Sequence, residues 1–222
     1  MAAHKDDIAV FKKSGIFELD GVSIYVEQIG REKKLIVCGA GHVSLPIIRI
    51  AKMIGFHVTV IDDRPDFAEN GRKAGADKAI CEQFDKALEE ITGDIDTYFV
   101  IVTRGHQYDS ECLRVILKKT NAYIGMMGSR RRVRIVKENM IKEGNSPEKV
   151  MNIHSPIGLA IKAQTPEEIA VSVMAEIIEV KNQRPSTEYP QEILHDILGT
   201  GHIEPLPGRK ILFTIVAKKG AA

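Results

Sequence analysis

The sequence has few aromatic side chains and almost no excess of charge of either sign. It contains no tryptophan, 5% aromatic residues and a formal net charge of +1 over 222 residues. Few aromatic rings argue against a stacking platform for single-stranded nucleic acid, and a net charge near zero gives no argument for an anionic partner. No apolar run is long enough to span a bilayer, and the first residues lack the apolar core of a signal peptide. We therefore expect neither nucleic acid nor a membrane as a partner.

Cysteine is also scarce. The three cysteines, Cys38, Cys81 and Cys112, are odd in number and lack the paired spacing of a structural zinc site. We therefore expect no metal site. A small number of cysteines is typical of proteins in a reducing compartment, so the expected location is the cytoplasm. The remaining composition, 44% hydrophobic and 27% charged, is typical of a globular protein with room for one α/β domain and extensions.

Apolar strand patterns alternate with helical patterns from residue 34 to residue 183. The predicted strands cover 35–38, 57–61, 78–81, 97–102 and 122–126. The predicted helices cover 42–54, 85–91, 109–119, 129–143 and 166–181. This alternation predicts an α/β fold with a doubly wound, Rossmann-like parallel sheet, and the continuous apolar run at 98–102 fits a sheet covered on both faces.

Shorter segments flank this predicted domain. In residues 1–33, an Asp20-Gly21 turn between two strand patterns predicts an N-terminal β-hairpin. Residues 184–222 form a C-terminal extension, with an amphipathic helix predicted at 189–198 and a strand at 210–217. That strand needs a partner, which an edge of the main sheet, the hairpin or another subunit can supply. We expect the extension to serve dimerisation, and hence a homodimer.

A glycine turn follows the first predicted strand. Gly39 permits a tight turn and Gly41 permits a close approach of phosphate to the backbone. Ser44 replaces the third glycine of a dinucleotide-binding fingerprint, and its hydroxyl is expected to face the ligand. Asp62, at the end of the second strand, stands where a ribose-binding carboxylate belongs; the alternative is a turn aspartate. Arg64 nearby leaves open whether a nucleotide carries a 2′-phosphate.

Two further loops at the carboxyl ends of strands are rich in polar residues. After the fourth strand, Asp109 is placed either to orient His106 as a general base or to cap the following helix. After the fifth strand, Ser129 is a predicted helix cap, and Arg130 beside it predicts an anion site. The alternative is a solvated basic helix face.

Ligands of open parallel sheets bind outside the carboxyl ends of the strands, so these loops predict one crevice. Of the other arginines at the start of the last of these helices, Arg132, or Arg131 with Arg134, is expected to face solvent. The candidate catalytic residues are His106 and Asp109. The candidate cofactor-binding residues are Gly39, Gly41, His42, Ser44, Asp62, Asp63, Arg64, Thr103, Arg104, His106, Gly128, Ser129, Arg130 and Arg131.

Six motifs in this order resemble the Rossmann domain of the XdhC/CoxI family, the xanthine dehydrogenase accessory proteins. The motifs are VCGAGHV at 37–43, VIDDRPDF at 60–67, TRGH at 103–106, YIGMMGSRR at 123–131, HSPIGL at 154–159 and TPEEIA at 165–170. The resemblance covers roughly residues 26–180. Longer members carry an N-terminal domain where this chain has a hairpin-sized segment. We expect a separately encoded subunit to supply that domain and its function in docking other proteins.

The resemblance implies a maturation factor, or chaperone, that binds the molybdenum cofactor (molybdopterin), supports its sulfuration and helps to insert it into a molybdenum hydroxylase. The implied partners are the hydroxylase apoenzyme and a cysteine desulfurase. Two alternatives use the same fold: an NAD(P)-dependent oxidoreductase and a nucleotide-sensing regulatory module. Only some 40 residues follow the predicted domain, which is little for a dehydrogenase's substrate domain, so an accessory protein is favoured over an enzyme.

Overall fold

The computed structural model describes residues 32–183 in full, together with three strands outside that range. The chain divides into two compact units, of which the larger is Glu32–Gln183. The smaller unit holds the three outer strands, β1 (Gly15–Leu19), β2 (Val22–Val26) and β8 (Val216–Lys219). Within residues 32–183 and these three strands, no helix is both long enough and apolar enough to cross a membrane.

The outer strands form an antiparallel sheet in the order β1-β2-β8. The predicted hairpin is confirmed, since Leu19 pairs with Val22 across the predicted turn. β8 overlaps the strand predicted at 210–217 only in its first two residues, and the rest of that prediction lies outside the described residues. β8 pairs with β2 of the hairpin, one of the three partners considered for the predicted strand. The predicted helix at 189–198 lies outside the described residues.

The larger unit is built on a five-stranded parallel sheet with the order β5-β4-β3-β6-β7. Its strands are β3 (Lys34–Cys38), β4 (His57–Asp62), β5 (Lys78–Cys81), β6 (Thr97–Ile101) and β7 (Tyr123–Met126). The helices are α1 (Ser44–Met53), α2 (Pro65–Lys73), α3 (Phe84–Glu90), α4 (His106–Ile116), α5 (Arg130–Lys142), α6 (Pro147–Met151) and α7 (Pro166–Gln183). The predicted doubly wound, Rossmann-like sheet is confirmed.

The strand order reverses between β3 and β6. The chain passes from β3 outward to β4 and β5, then returns to the other side of β3 for β6 and β7. At such a switch point the loops that follow two neighbouring strands diverge and leave a crevice at the carboxyl end of the sheet. The loops that follow β3, β4, β6 and β7 therefore surround one opening.

Apolar side chains cover both faces of this sheet. All five residues of β6 are buried: Phe99 and Ile101 pack with the α3, α4 and α5 layer, and Tyr98 and Val100 pack with the α1 and α7 layer. Burying a side chain of this size contributes roughly 1.5–3 kcal/mol, so the two layers hold the carboxyl-end loops on a rigid base.

Candidate functional site

The glycine turn after β3 contains one glycine that the fold requires and one that it does not. Gly39 has φ +102°, and a Cβ there would lie 2.6 Å from the carbonyl oxygen of Val102. At Gly41 a Cβ would meet no atom of the described chain within 4 Å. Gly39 therefore serves the turn, whereas the absence of a side chain at Gly41 leaves open space beside the backbone.

Ser44 stabilises this turn from within the protein. Its side chain is fully buried, and its hydroxyl donates to the carbonyl oxygen of Gly39 at 2.6 Å. The expectation that this hydroxyl faces a ligand is wrong, because the only group that it reaches in the described chain is the turn itself. A serine at the third fingerprint position thus replaces close helix–strand packing with a hydrogen bond.

Asp62 connects the end of β4 to the glycine turn. Its buried carboxylate accepts the N–H of Ala40 at 2.8 Å and the N–H of Arg64 at 3.1 Å. The Arg64 guanidinium adds two bonds, of 2.8 and 3.0 Å, and lies 3.4 Å from the ring centroid of Phe67. Asp62 is therefore a turn aspartate, the alternative to a ribose-binding carboxylate. A ribose hydroxyl could reach the Asp62 oxygens only by sharing them with Arg64.

Asp63 and Arg104 join the loops that follow β4 and β6. The guanidinium donates to both carboxylate oxygens, at 2.5 and 2.7 Å, and lies 4.0 Å from the ring centroid of Tyr108. The hydrogen bonds from Arg104 hold the pKa of Asp63 below its ordinary value, although burial opposes them. Because β3 lies between β4 and β6, this ion pair spans the mouth of the crevice.

Asp109 is a second buried carboxylate of the site. It is fully enclosed, accepts the hydroxyl of Thr103 at 2.5 Å and is paired with the guanidinium of Arg132. Burial raises its pKa above the ordinary value, although Thr103 and Arg132 lower it. In the described chain the oxygens of Asp109 are bonded to Thr103 and Arg132 rather than to His106, which acts on Asp109 only through its charge. The predicted helix cap is wrong, because α4 begins after Gly105 without a side-chain cap.

The start of α5 borders a hollow of about 240 Å³. Ser129 accepts the N–H of Arg132 at 3.3 Å, so the predicted helix cap is confirmed. The lining residues are His106, Ser129, Arg131, Arg132, Ile135 and Val136. Arg130 is exposed and is not among the lining residues. Of the two alternatives for the arginines that face solvent, exposure holds for Arg131 with Arg134, whereas Arg132 points its guanidinium to Asp109. Sequence spacing carries no signal for that pairing, since the two residues lie on different helices.

Two of the three cysteines are closed off from solvent. Cys38 and Cys112 are buried and interact with each other, whereas Cys81, at the end of β5, is exposed. Burial raises the pKa of the Cys112 thiol well above its ordinary value. Within residues 32–183 and the three outer strands, no group of three or more His, Cys, Asp or Glu side chains could hold a metal ion.

A parallel sheet with an open glycine turn at its switch point defines a Rossmann-type α/β protein. Residues 35–177 match the family described as the XdhC Rossmann domain. This chain therefore belongs to the XdhC family.

Relatives of this chain are longer than it is. An Escherichia coli K12 protein, YqeB, is 32% identical over 74% of this chain and 30% of its own length. A Bacillus subtilis 168 protein, named as a probable subunit of xanthine dehydrogenase, is 31% identical over 72% of this chain and 47% of its own. A crystal structure described as a xanthine dehydrogenase from Bacillus halodurans has a TM-score of 0.63 at 34% identity, over 73% of this chain and 46% of that one. The chain thus spans less than half the length of each.

Proposed function

We propose that this protein is an accessory factor of a xanthine dehydrogenase-type molybdenum hydroxylase and that it binds the phosphate-bearing molybdenum cofactor in the crevice at the switch point. Family membership and the names of two relatives support the association with xanthine dehydrogenase. The observation that carries the cofactor proposal is the open space beside Gly41 at the start of α1.

The backbone around Gly41 suits a phosphate. In the described part of the chain, the N–H groups of Gly41, His42 and Val43 donate to no protein acceptor. Unpaired N–H groups at the start of a helix form an anion site, because the helix dipole adds partial positive charge there. The terminal phosphate of molybdopterin, or the pyrophosphate of its dinucleotide form, matches this donor set.

The charges around the crevice also favour an anion. Asp62 and Asp63 lie beside it, but each is paired with an arginine, Arg64 and Arg104 respectively. The arginines neutralise the carboxylates and so remove most of the repulsion that an entering phosphate would meet. We propose that Ser129, Arg130 and Arg131 add a second anion contact at the start of α5.

The bound cofactor supplies the redox-active molybdenum centre of a hydroxylase, so the task of this chain is to hold and orient it. We propose that the recipient is the hydroxylase apoenzyme, that a cysteine desulfurase provides the sulfur for cofactor sulfuration, and that the factor acts in the cytoplasm as a homodimer. The buried Cys112 argues against a persulfide carried on that residue, because its thiol stays protonated.

NAD(P) binding is the second candidate, since the glycine turn and Asp62 stand where a dinucleotide-binding domain has them. The pairing of Asp62 with Arg64 disfavours it, because the ribose would have to displace two guanidinium bonds. An NAD(P)-dependent enzyme would in addition have to turn over a hydroxy or carbonyl substrate.

The test measures binding of three ligands by calorimetry: NADH, NADPH and molybdenum cofactor released under anaerobic conditions from a purified hydroxylase. Gly41→Val should lower cofactor affinity at least tenfold and still fold, since no atom of the described chain lies within 4 Å of a Cβ there. Cofactor-loaded protein should also restore activity to the apoenzyme. Nicotinamide binding with substrate turnover, or equal cofactor affinity of Gly41→Val, would contradict the proposal.

A further inference from the structure

A second cluster of ionisable side chains lies beyond β7. Residue 154 forms a parallel bridge with Gly125, the third residue of β7. The backbone N–H of His154 donates to the carbonyl oxygen of Ile124, and the backbone N–H of Met126 donates to the carbonyl oxygen of His154, both at 2.9 Å. The bridge adds a sixth position to the sheet, in the order of a doubly wound dinucleotide-binding fold, on the side where the second half of such a ligand lies.

Glu176 of α7 holds this cluster together. Its carboxylate accepts the hydroxyl of Tyr123 at 2.5 Å and the N–H of Gly158 at 2.9 Å, and its other oxygen lies 3.2 Å from Nδ1 of His154. Burial opposes ionisation, but the bonds from His154, Tyr123 and Gly158 bring the pKa of Glu176 below its ordinary value. The carboxylate is therefore a fixed negative charge beside the imidazole.

The imidazole of His154 keeps one nitrogen free. Its ring is packed against that of Tyr123, with centroids 4.6 Å apart, and 34% of the side chain is exposed. Nε2 has no protein partner in the described chain, and it is not among the enclosed unpartnered atoms there. Nε2 therefore reaches the surface while Nδ1 faces Glu176.

The backbone around the cluster is fitted to these contacts. A Cβ at Gly125 would lie 2.5 Å from the Tyr123 hydroxyl oxygen, so glycine is needed for that hydroxyl to reach Glu176. Gly158 has φ +94°, a conformation that lets its N–H point to the same carboxylate without a side chain in the way. The two glycines thus fix the Glu176 carboxylate, and this carboxylate in turn fixes the orientation of the His154 imidazole.

We propose that His154 is a proton-transfer residue of the crevice, held by Glu176 as the Nδ1–H tautomer, with Nε2 accepting a proton from an acidic N–H, O–H or S–H group on the heterocyclic end of the bound cofactor. The proton moves from the ligand to Nε2, the ligand becomes an anion, and the imidazolium is stabilised by the Glu176 carboxylate. This inference rests on the proposed function, because it assumes that the phosphate end lies at Gly41.

The first test is independent of any ligand. In ¹⁵N-labelled full-length protein, the nitrogen shifts of His154 should show the Nδ1–H tautomer, and Glu176→Ala should shift it to the Nε2–H tautomer that free histidine prefers. Glu176→Gln keeps an acceptor oxygen and should retain the wild-type tautomer. An Nε2–H tautomer in the wild-type protein would overturn the proposal.

The second test uses diethyl pyrocarbonate, which acylates an accessible imidazole nitrogen, with the site of modification read by mass spectrometry. Released molybdenum cofactor should slow acylation of His154 at least tenfold. The internal reference is His57, which is partly exposed at the start of β4, the end of the strand away from the crevice. His154→Gln should lower cofactor affinity about tenfold, and its thermal midpoint, measured in parallel, separates this loss from that of the contacts with Tyr123 and Glu176. If the cofactor binds but leaves acylation of His154 unchanged, this inference fails and the proposed function stands; if no cofactor binds, both fail.

Discussion

Asp63 and Arg104 lie 41 positions apart in the chain, and two parallel hydrogen bonds of 2.5 and 2.7 Å join them. They follow β4 and β6, the two strands that flank β3, so their ion pair closes a bridge across the carboxyl end of the central strand. The bridge connects the two halves of the crevice, and its strength can be measured directly.

Arg104→Ala should lower the free energy of unfolding at pH 7 by no more than about 1 kcal/mol, since both partners are partly exposed. The folded-state pKa of Asp63 is depressed, so the contribution of the pair is present above the unfolded pKa and is lost as pH falls through the folded value. Urea unfolding at pH 7 and below about pH 4 measures this. Arg114→Ala removes a comparable surface pair with Glu143 and is the matched control. A loss that stays constant into acid would contradict the assignment.

Arg132→Ala should cost on the order of 2–3 kcal/mol at pH 7, because it leaves the enclosed carboxylate of Asp109 without its cation. Breaking a fully buried pair costs roughly 3–5 kcal/mol, and Arg132 is 32% exposed. Asp109 already has a raised pKa, so the variant should recover stability as pH falls, because the folded state then takes up a proton more readily than the unfolded chain. Urea titrations at pH 7 and in acid test this. The neighbour Arg131 provides the control, since it is exposed; equal losses for Arg131→Ala and Arg132→Ala would show that Asp109 needs no cation.

Alanine at the two glycines of the turn should separate folding from binding. Gly39→Ala places a Cβ 2.6 Å from a carbonyl oxygen at positive φ and should cost about 2 kcal/mol or more. The methyl group of Gly41→Ala has no neighbour within 4 Å in the part of the chain that the structure describes, so the variant should leave thermal unfolding unchanged. Differential scanning calorimetry of the two variants decides the point, and a destabilised Gly41→Ala would mean that the turn, not a ligand, needs that glycine.

Ser44→Gly restores the third glycine of the fingerprint and should nevertheless weaken the protein. It removes the bond to the Gly39 carbonyl and places glycine at the first position of α1, a loss of about 1–2 kcal/mol. NADH and NADPH affinities should not rise, because the Ser44 side chain is buried beneath the turn. A gain in dinucleotide affinity in the same calorimetric titration would show that serine excludes that ligand.

Much of the fold was predictable because its signals are local. The apolar run of β6 is buried throughout, and the helix predicted at 166–181 forms as α7, which begins with reciprocal 3.2 Å bonds between Thr165 and Glu168. The helices α2 and α6 were missed because they bury so little: Ala68 and Gly71 in α2, and Val150 in α6. A proline at the start of each was the one signal that remained.

The candidate site was predictable as a set of loops but not as a set of pairings. Polar residues at the ends of parallel strands must meet at one edge, and Asp62 does contact the glycine turn while Asp63 and Arg104 pair with each other. Which guanidinium reaches which carboxylate depends on side-chain geometry between distant elements, as in Asp109 and Arg132. The cluster at His154 was marked only by its motif, because the sequence does not reveal that Glu176 of α7 lies against it.

The crevice is assembled from loops that follow β3, β4, β6 and β7, so an unfolded chain contains no part of it in working form. Any ligand that needs two of these loops binds the native state alone and shifts the unfolding equilibrium by mass action. At a free concentration about one hundred times its dissociation constant, such a ligand adds about 2.7 kcal/mol of stability. Loaded and empty protein would then differ in their resistance to proteolysis, and the cell's own proteases would preferentially remove the protein that carries no cargo.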